Sequence, residues 1–184
     1  NVIVLKHKQN YGQSLSIRTG ILNANEEFIL TMDGDGQNDP RDIKKLIKKY
    51  AVGNEFHLVI GNRIKRHDSL AKKFASRLAF LIRRIILGDS TPDTGCAMKI
   101  FKKEDFLLLP FFNHMHRFFP VLFRNYGGTV VSIPVNHRKR MTGYSKYTNL
   151  QRGLVGIYDL IGVVWLTKRS YIPKFVKEKK KKKK

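Results

Sequence analysis

Short apolar runs alternate along this chain with longer stretches of helical periodicity, and that alternation most restricts what it can fold into. Runs at residues 2–5, 28–32, 57–60, 96–101 and 129–135 have the length and character of strands. Between them, residues 13–24 place Ile17 and Ile21 four apart and Leu15 and Leu22 seven apart, the spacing of a helix face. A second helix starts at Asp39-Pro40, with Asp39 as the cap, Pro40 in the first turn, and Ile43, Leu46, Ile47 and Tyr50 as the buried stripe. Residues 70–87 form a long helix with apolar and basic faces, and residues 115–126 a Phe-rich helix closed by Gly127-Gly128. This order predicts an α/β fold with a mostly parallel sheet and right-handed crossovers, in which ligands bind beyond the carboxyl ends of the strands. At 184 residues and 42% apolar composition the chain can bury one sizeable core.

Two of those carboxyl ends carry polar residues. The run "FILTMDGDGQNDP" (28–40) delivers Asp33 and Asp35 one residue apart, with Gly34 and Gly36 interleaved and Gln37 following. Paired carboxylates leaving a buried strand can hold a hard divalent cation that keeps waters and bridges to phosphates. The same pattern also fits a polar turn capping the next helix. A calcium-binding EF-hand loop is excluded: its sixth and twelfth positions, counted from Asp33, are Asn38 and Lys44 instead of Gly and Glu. The third strand ends in Gly61-Asn62-Arg63.

The charge is strongly basic, +22 for the whole chain. Residues 174–184, with eight Lys and one Glu, contribute +7, which leaves +15 on the rest. That balance suggests an anionic partner: nucleic acid, an anionic membrane surface or a phosphorylated substrate. "VNHRKRMTGYSKY" (135–147) reads as a basic loop after a strand, either a phosphate cradle or a solvated surface loop. No helix-turn-helix, zinc-finger or RNA-binding signature accompanies it, so no nucleic acid is expected as a partner. In "DTGCAMKIF" (93–101), Asp93 precedes a strand as a general base, a residue behind a metal's ligands, or a turn cap. Cys96 is the single cysteine, so no disulfide forms within the chain, and it reads as a small core residue.

Taken together, "QNYGQSLSIRTGI", "LTMDGDGQNDP", "VIGNR", "DTGCAMKIF", "HRFFPVLF" and "VNHRKRMTGYSKY" resemble, in order and spacing over residues 1–150, the family 2 glycosyltransferases of the dolichol-phosphate mannose synthase type, which load a sugar onto a polyprenyl phosphate. The resemblance implies a GT-A-like, nucleotide-sugar-binding fold with a Rossmann-like sheet and inverting transfer. It implies Mg2+ or Mn2+ on Asp33 and Asp35, with Gln37 nearby. It gives Gly12, Gln13, Asp33, Arg140 and Lys146 to the donor and its phosphates, Arg63, Lys72 and Ser76 to the acceptor phosphate, and Asp93, with Asp35, to the chemistry. The implied partners are a nucleotide-sugar donor, a polyprenyl phosphate lipid and a membrane surface; the oligomeric state stays open. A saccharide or glycolipid acceptor is the alternative within the family, and a basic nucleic-acid-binding module the alternative outside it. Family members begin with a strand, a helix and an early acidic motif for the base; none of these is in this chain, which is therefore expected to lack its N-terminal part.

Residues 154–166, "LVGIYDLIGVVWL", are interrupted by Asp159 and fall short of the roughly 20 apolar residues of a spanning helix. With Trp165, Tyr171 and neighbouring basic residues, they predict an amphipathic interfacial helix, or else a helix that packs in the core. The expected organisation is a partial catalytic domain (1–150), a membrane-associated helix (151–173) and a basic tail (174–184). The expected location is the cytoplasmic face of the membrane, peripheral or interfacially anchored.

Overall fold

A computed structural model describes residues 2–53, 57–64, 70–138 and 149–170, with side chains at 70–75 and 149–154 excepted. In chain order, the elements are α1 (Gln13–Asn23), β1 (Phe28–Thr31), α2 (Ile43–Tyr50), β2 (His57–Arg63), α3 (Leu70–Leu87), β3 (Lys99–Lys102), α4 (Lys103–Leu108), α5 (Phe119–Asn125), β4 (Thr129–Val135) and α6 (Asn149–Arg169). A 3-10 turn, Pro40–Asp42, leads into α2, and another, Met115–Arg117, precedes α5.

The four strands form one sheet in the order β1-β3-β2-β4. β2 and β4 are parallel, from His57 opposite Thr129 to Arg63 opposite Val135. β3 is antiparallel to both β1 and β2, so β1, β2 and β4 point one way with β3 reversed among them. The sheet is thus mixed: three strands share a direction as expected, but only one described ladder is parallel. The reversal has a topological cause. β2 ends at the rim of the sheet and β3 begins there, so α3 leaves that rim and the chain returns to it without crossing over. One edge therefore collects the exits of β1, β2 and β4 and the entrance of β3.

Each face of the sheet buries its own cluster. Ile29, Leu58 and Phe101 meet Ile21 of α1, Phe106 of α4, Phe119, Leu122 and Phe123 of α5 and Val163 of α6. Val59, Ile60, Ile100 and Val135 meet Leu46 and Tyr50 of α2, together with Cys96 and Met98. Phe101 stands edge-on to Phe119 with centroids 5.7 Å apart, a favourable aromatic geometry. Gly61 is where β2 must be thin, because a Cβ there would come within 2.8 Å of both Cys96 Sγ and Val135 Cγ2. Cys96 is fully buried, and that burial pushes its thiol pKa up, away from the reactive thiolate.

Several sequence expectations shift. Residues 2–5 form no strand, and Val2 and Val4 are almost fully exposed; an apolar run becomes a strand only where a neighbour completes its hydrogen bonds. Strand β3 starts at Lys99 instead of Cys96, and the 115–126 helix splits at Phe118 ahead of Pro120, a residue suited to the first turn of a helix. It closes at Gly127, whose φ of 84° is left-handed. Ile47 and Leu22 are each 50% exposed, because α2 and α1 each contact the sheet along a narrower stripe than their patterns offered. α6 both packs and presents: Val163 is buried, whereas Ile157, Tyr158, Ile161 and Trp165 are exposed. Asp159, the break in its apolar run, pairs with His114 Nδ1 at 2.9 Å. Among the described residues no helix is long and apolar enough to cross a membrane.

Candidate active site

The loop leaving β1 is shaped by its own side chains. Asn38 Oδ1 accepts from the Asp33 backbone N–H at 2.9 Å, and Asp35 Oδ1 from that of Gln37 at 3.1 Å. Gly36 takes the left-handed conformation (φ 75°) that turns the chain between them. Asp33, Asp35 and Gln37 are half-buried and alternate with exposed Gly34 and Gly36. The start of α1 reaches the same place: Gln13 Nε2 donates to Asp33 Oδ1 at 3.0 Å, and Gly12 (φ 85°) is the residue before the helix. Of the residues expected at the donor, Gly12, Gln13 and Asp33 are therefore brought together, with Asp35 of the expected metal pair on the same loop. Arg140 and Lys146 lie outside the described residues.

The exit of β4 is stapled to this loop. Arg138 N–H donates to Gln37 O at 2.8 Å, Gln37 Nε2 donates back to Arg138 O at 3.3 Å, and Asn38 bridges His137. Two buried carboxylates hold the seam. Asp39 accepts from the Arg41 N–H and guanidinium and from Arg138 Nη2 at 2.8 Å, and the Arg41 contact holds its pKa far below the usual carboxylate range. Asp42 accepts from Asn136 N–H and Lys45 Nζ, each at 2.6 Å. The start of the basic loop thereby lies along the paired aspartates. Sequence reading saw Asp39 as a helix cap, which it is, and missed Asp42, His137 and Arg138, whose partners lie about a hundred residues away.

A divalent cation fits the residues present. Asp33, Asp35 and Gln37 offer oxygen donors of the kind Mg2+ and Mn2+ take, and the Gln37 amide uses its nitrogen on Arg138 O, which leaves its oxygen for a cation. Among the described residues no three His, Cys, Asp or Glu side chains converge on a metal position. Among the described residues, a cation here would have two carboxylates and one amide as side-chain donors.

Arg63 and Asp93, expected in separate roles, form one unit. Arg63 Nε and Nη2 donate to the two Asp93 oxygens at 2.6 and 2.7 Å, and the Arg63 N–H adds a third contact at 3.3 Å. Asp93 is 5% exposed and Arg63 19%, so this fork is shielded and directional. The loop carrying Asp93 is anchored by a second buried acid, Asp89. It pairs with Arg124 of α5 at 2.7 Å and Arg83 of α3 at 3.3 Å, and accepts from Thr91 N–H. Ser76 is half-buried on α3; the Lys72 side chain lies outside the described set. Beneath the rim are residues that sequence reading did not single out. Ser14 hydrogen-bonds His116 Nδ1 at 2.7 Å, Lys99 is buried at the start of β3, and burial pushes His116 down to about 3 so that it stays neutral.

Known proteins resemble this chain in sequence and in fold. The sequence profile of "Glycosyl transferase family 2" matches residues 1–108. An undecaprenyl-phosphate 4-deoxy-4-formamido-L-arabinose transferase of Yersinia pestis (strain Pestoides F) is 32% identical over 162 residues, covering 88% of this chain and 48% of that protein. The transferase of the same name from Pectobacterium carotovorum subsp. carotovorum (strain PC1) is 31% identical over 163 residues, with the same coverage. The chain thus spans about half the length of the curated relatives it matches. Among solved structures, glucosyl-3-phosphoglycerate synthase from Mycobacterium tuberculosis in complex with uridine diphosphate superposes with a TM-score of 0.57 at 14% identity, covering 86% of this chain and 55% of that one. That likeness is one of fold, the GT-A type.

Proposed function

The chain belongs to glycosyl transferase family 2, and from that premise we propose that it carries the metal- and acceptor-handling part of an inverting enzyme that moves a sugar from a nucleotide sugar to a polyprenyl phosphate. The observation that carries this reading is the single rim where the paired aspartates, the Arg63–Asp93 fork and the start of the basic loop meet. Asp33, Asp35 and Gln37 would hold a Mg2+ or Mn2+ ion, which would supply charge neutralisation for the leaving diphosphate. Gln13 holds Asp33 in place from α1, and the loop containing Arg140 and Lys146 brings further positive charge to the donor phosphates.

The acceptor phosphate is already anionic at neutral pH, so its attack on the sugar needs alignment and charge neutralisation more than a strong base. Arg63 presents its guanidinium to that phosphate, with Lys72 and Ser76 contributing from α3. Asp93, with both oxygens engaged by Arg63, fixes the plane and direction of the fork and takes no proton from the acceptor.

The lipid arrives from a membrane surface, and α3 and α6 face it. α3 leaves Leu78, Leu81, Ile85 and Ile86 exposed, and α6, which touches it, leaves Ile157, Tyr158, Ile161 and Trp165 exposed. Arg77, Arg84, Lys168 and Arg169 border these residues, a composition suited to the cytoplasmic surface of an anionic bilayer.

The test is transfer of labelled sugar to undecaprenyl or dolichyl phosphate by the full-length protein, with Mg2+ or Mn2+ and with the metal chelated. Asp35→Asn is expected to lower metal-dependent transfer by several kcal/mol of barrier, on the order of a thousandfold, with the fold intact. Normal turnover by that variant refutes the metal assignment, and transfer to a soluble glycoside in place of the lipid refutes the acceptor.

A further inference from the structure

Lys99 is a buried cation with no part in the contacts described so far. It opens β3 in register with Thr31 of β1 and Ile60 of β2, two residues before Asp33 and three before Arg63 along their strands. Its side chain therefore starts from the floor of the rim. The residue is 4% exposed. Its Nζ donates to the Cys96 carbonyl and lies 5.7 Å from the centroid of the Phe119 ring, whose face attracts a cation. Among the described residues no carboxylate pairs with it directly. Asp93 and Asp33 favour its charge through space, and Arg63 opposes it. Burial pushes its pKa down to about 8, which leaves it charged at neutral pH. The adjacent His116 is neutral and adds no second positive charge beside it.

An ammonium held in a protein interior without an ion pair opposes folding, and an apolar side chain of similar volume would pack there without that cost. What the charge does contribute is a fixed positive potential felt at Asp33, the first of the paired aspartates. In a low-dielectric setting that potential acts over several ångströms and on both ligands of the rim with opposite sign. A divalent cation arriving alone is repelled. A diphosphate arriving with the cation is attracted, and its negative charge offsets the repulsion.

We propose that Lys99 is a built-in counter-charge that makes cation and diphosphate load onto this rim as a pair, disfavouring the metal by itself and favouring the metal with its diphosphate. Lys99 need not touch either ligand; it acts through the field at Asp33. The proposal rests on the assignment of the metal to those two aspartates. It assigns Lys99 a role in binding order that is separate from the acceptor contacts of Arg63.

The measurement is binding, not turnover, and pyrophosphate serves as a probe that needs no contact with a nucleotide base. Free Mn2+ is followed by its paramagnetic resonance signal in titrations of wild type, Lys99→Met, Lys99→Gln and Lys99→Arg. Pyrophosphate affinity is then measured calorimetrically at saturating Mn2+. The two neutral variants are expected to bind Mn2+ alone about tenfold more tightly and pyrophosphate with Mn2+ about tenfold more weakly, whereas Lys99→Arg keeps the wild-type pattern. Opposite signs are what a packing defect does not produce. If both affinities fall together, or neither moves, Lys99 is structural and the proposal is overturned; Lys99→Gln decides the matter if Lys99→Met does not fold. If wild type binds no Mn2+ even with pyrophosphate present, or Asp35→Asn binds it unchanged, the metal assignment itself fails and the proposal falls with it.

Discussion

The rim around Asp33 and the outer face of α3 and α6 are built on opposite principles. At the rim, Asp93, Asp39 and Asp42 are nearly closed off from water, and each is fixed by directional partners: Arg63, Arg41 with Arg138, and Lys45 with Asn136. On the outer face, Ile85 is 73% exposed, Ile161 66% and Trp165 63%. One region satisfies its polar groups internally and is organised before any ligand arrives. The other leaves apolar side chains in water, a state that another surface would relieve. On the function proposed above, the difference separates two tasks: geometry is set at the rim, and attachment to lipid is left to the face.

Breaking the rim should cost most, and first through its anchor. Asp89→Asn removes the charge between Arg83 and Arg124 and leaves two partly buried guanidiniums uncompensated. It should lower stability by about 3 kcal/mol, roughly 6–12 °C in melting temperature for a domain of this size. A melting temperature within a degree of wild type would mean that the loop before β3 does not depend on this clamp.

Next is the fork itself. Arg63→Ala removes a charge-assisted contact and should lower kcat/KM toward a polyprenyl phosphate by about 1.5–3 kcal/mol, roughly ten- to over a hundredfold. Retained efficiency would assign the acceptor to other residues.

The outer face should respond to a different readout. Ile161→Glu places a charge where an apolar contact with lipid is expected, and should weaken flotation of the full-length protein with anionic vesicles by about tenfold while leaving Mn2+ binding at the rim unchanged. Unchanged flotation would leave attachment to other segments, and loss of Mn2+ binding would show the two regions to be coupled after all.

The smallest effect comes from beneath the rim. His116 is held near a pKa of about 3, well below the ordinary 6.5, so it stays neutral in the fold while the unfolded chain takes up a proton. Its contribution is present above pH 6.5 and is lost as pH falls from there toward 3. Stability should drop by about 1 kcal/mol by pH 5.5, and His116→Gln should flatten that slope in denaturant titrations. An unaltered slope would show that His116 opens to solvent more readily than its burial suggests.

Much of this was legible along the chain. The paired aspartates follow a four-residue strand, the Asp39-Pro40 start of a helix carries its own cap, and Gly127 closes α5, because each depends on neighbours within a turn or two. The alternation of elements, read with the order of the motifs, announced a family 2 glycosyltransferase with a GT-A fold, and both hold. Residues 2–5 show the limit: their composition is that of a strand, but a strand also needs a partner edge, which composition does not contain. Ile47 and Leu22 show it again, since periodicity marks the face that can be buried and only the neighbouring sheet decides how wide a stripe is covered.

The sequence by itself determined the family, most of the element types and the paired aspartates, Arg63 and Asp93 of the rim, since short-range propensity and motif order suffice for those. The tertiary structure alone decided that β3 runs backwards, that Arg63 and Asp93 share one fork, that Asp39 and Asp42 clasp the exit of β4, and that Lys99 ends up buried within electrostatic reach of Asp33. The physical reason is range. These contacts join residues 30 to 99 positions apart, and each exists because strand pairing brings distant side chains within hydrogen-bond reach and out of water.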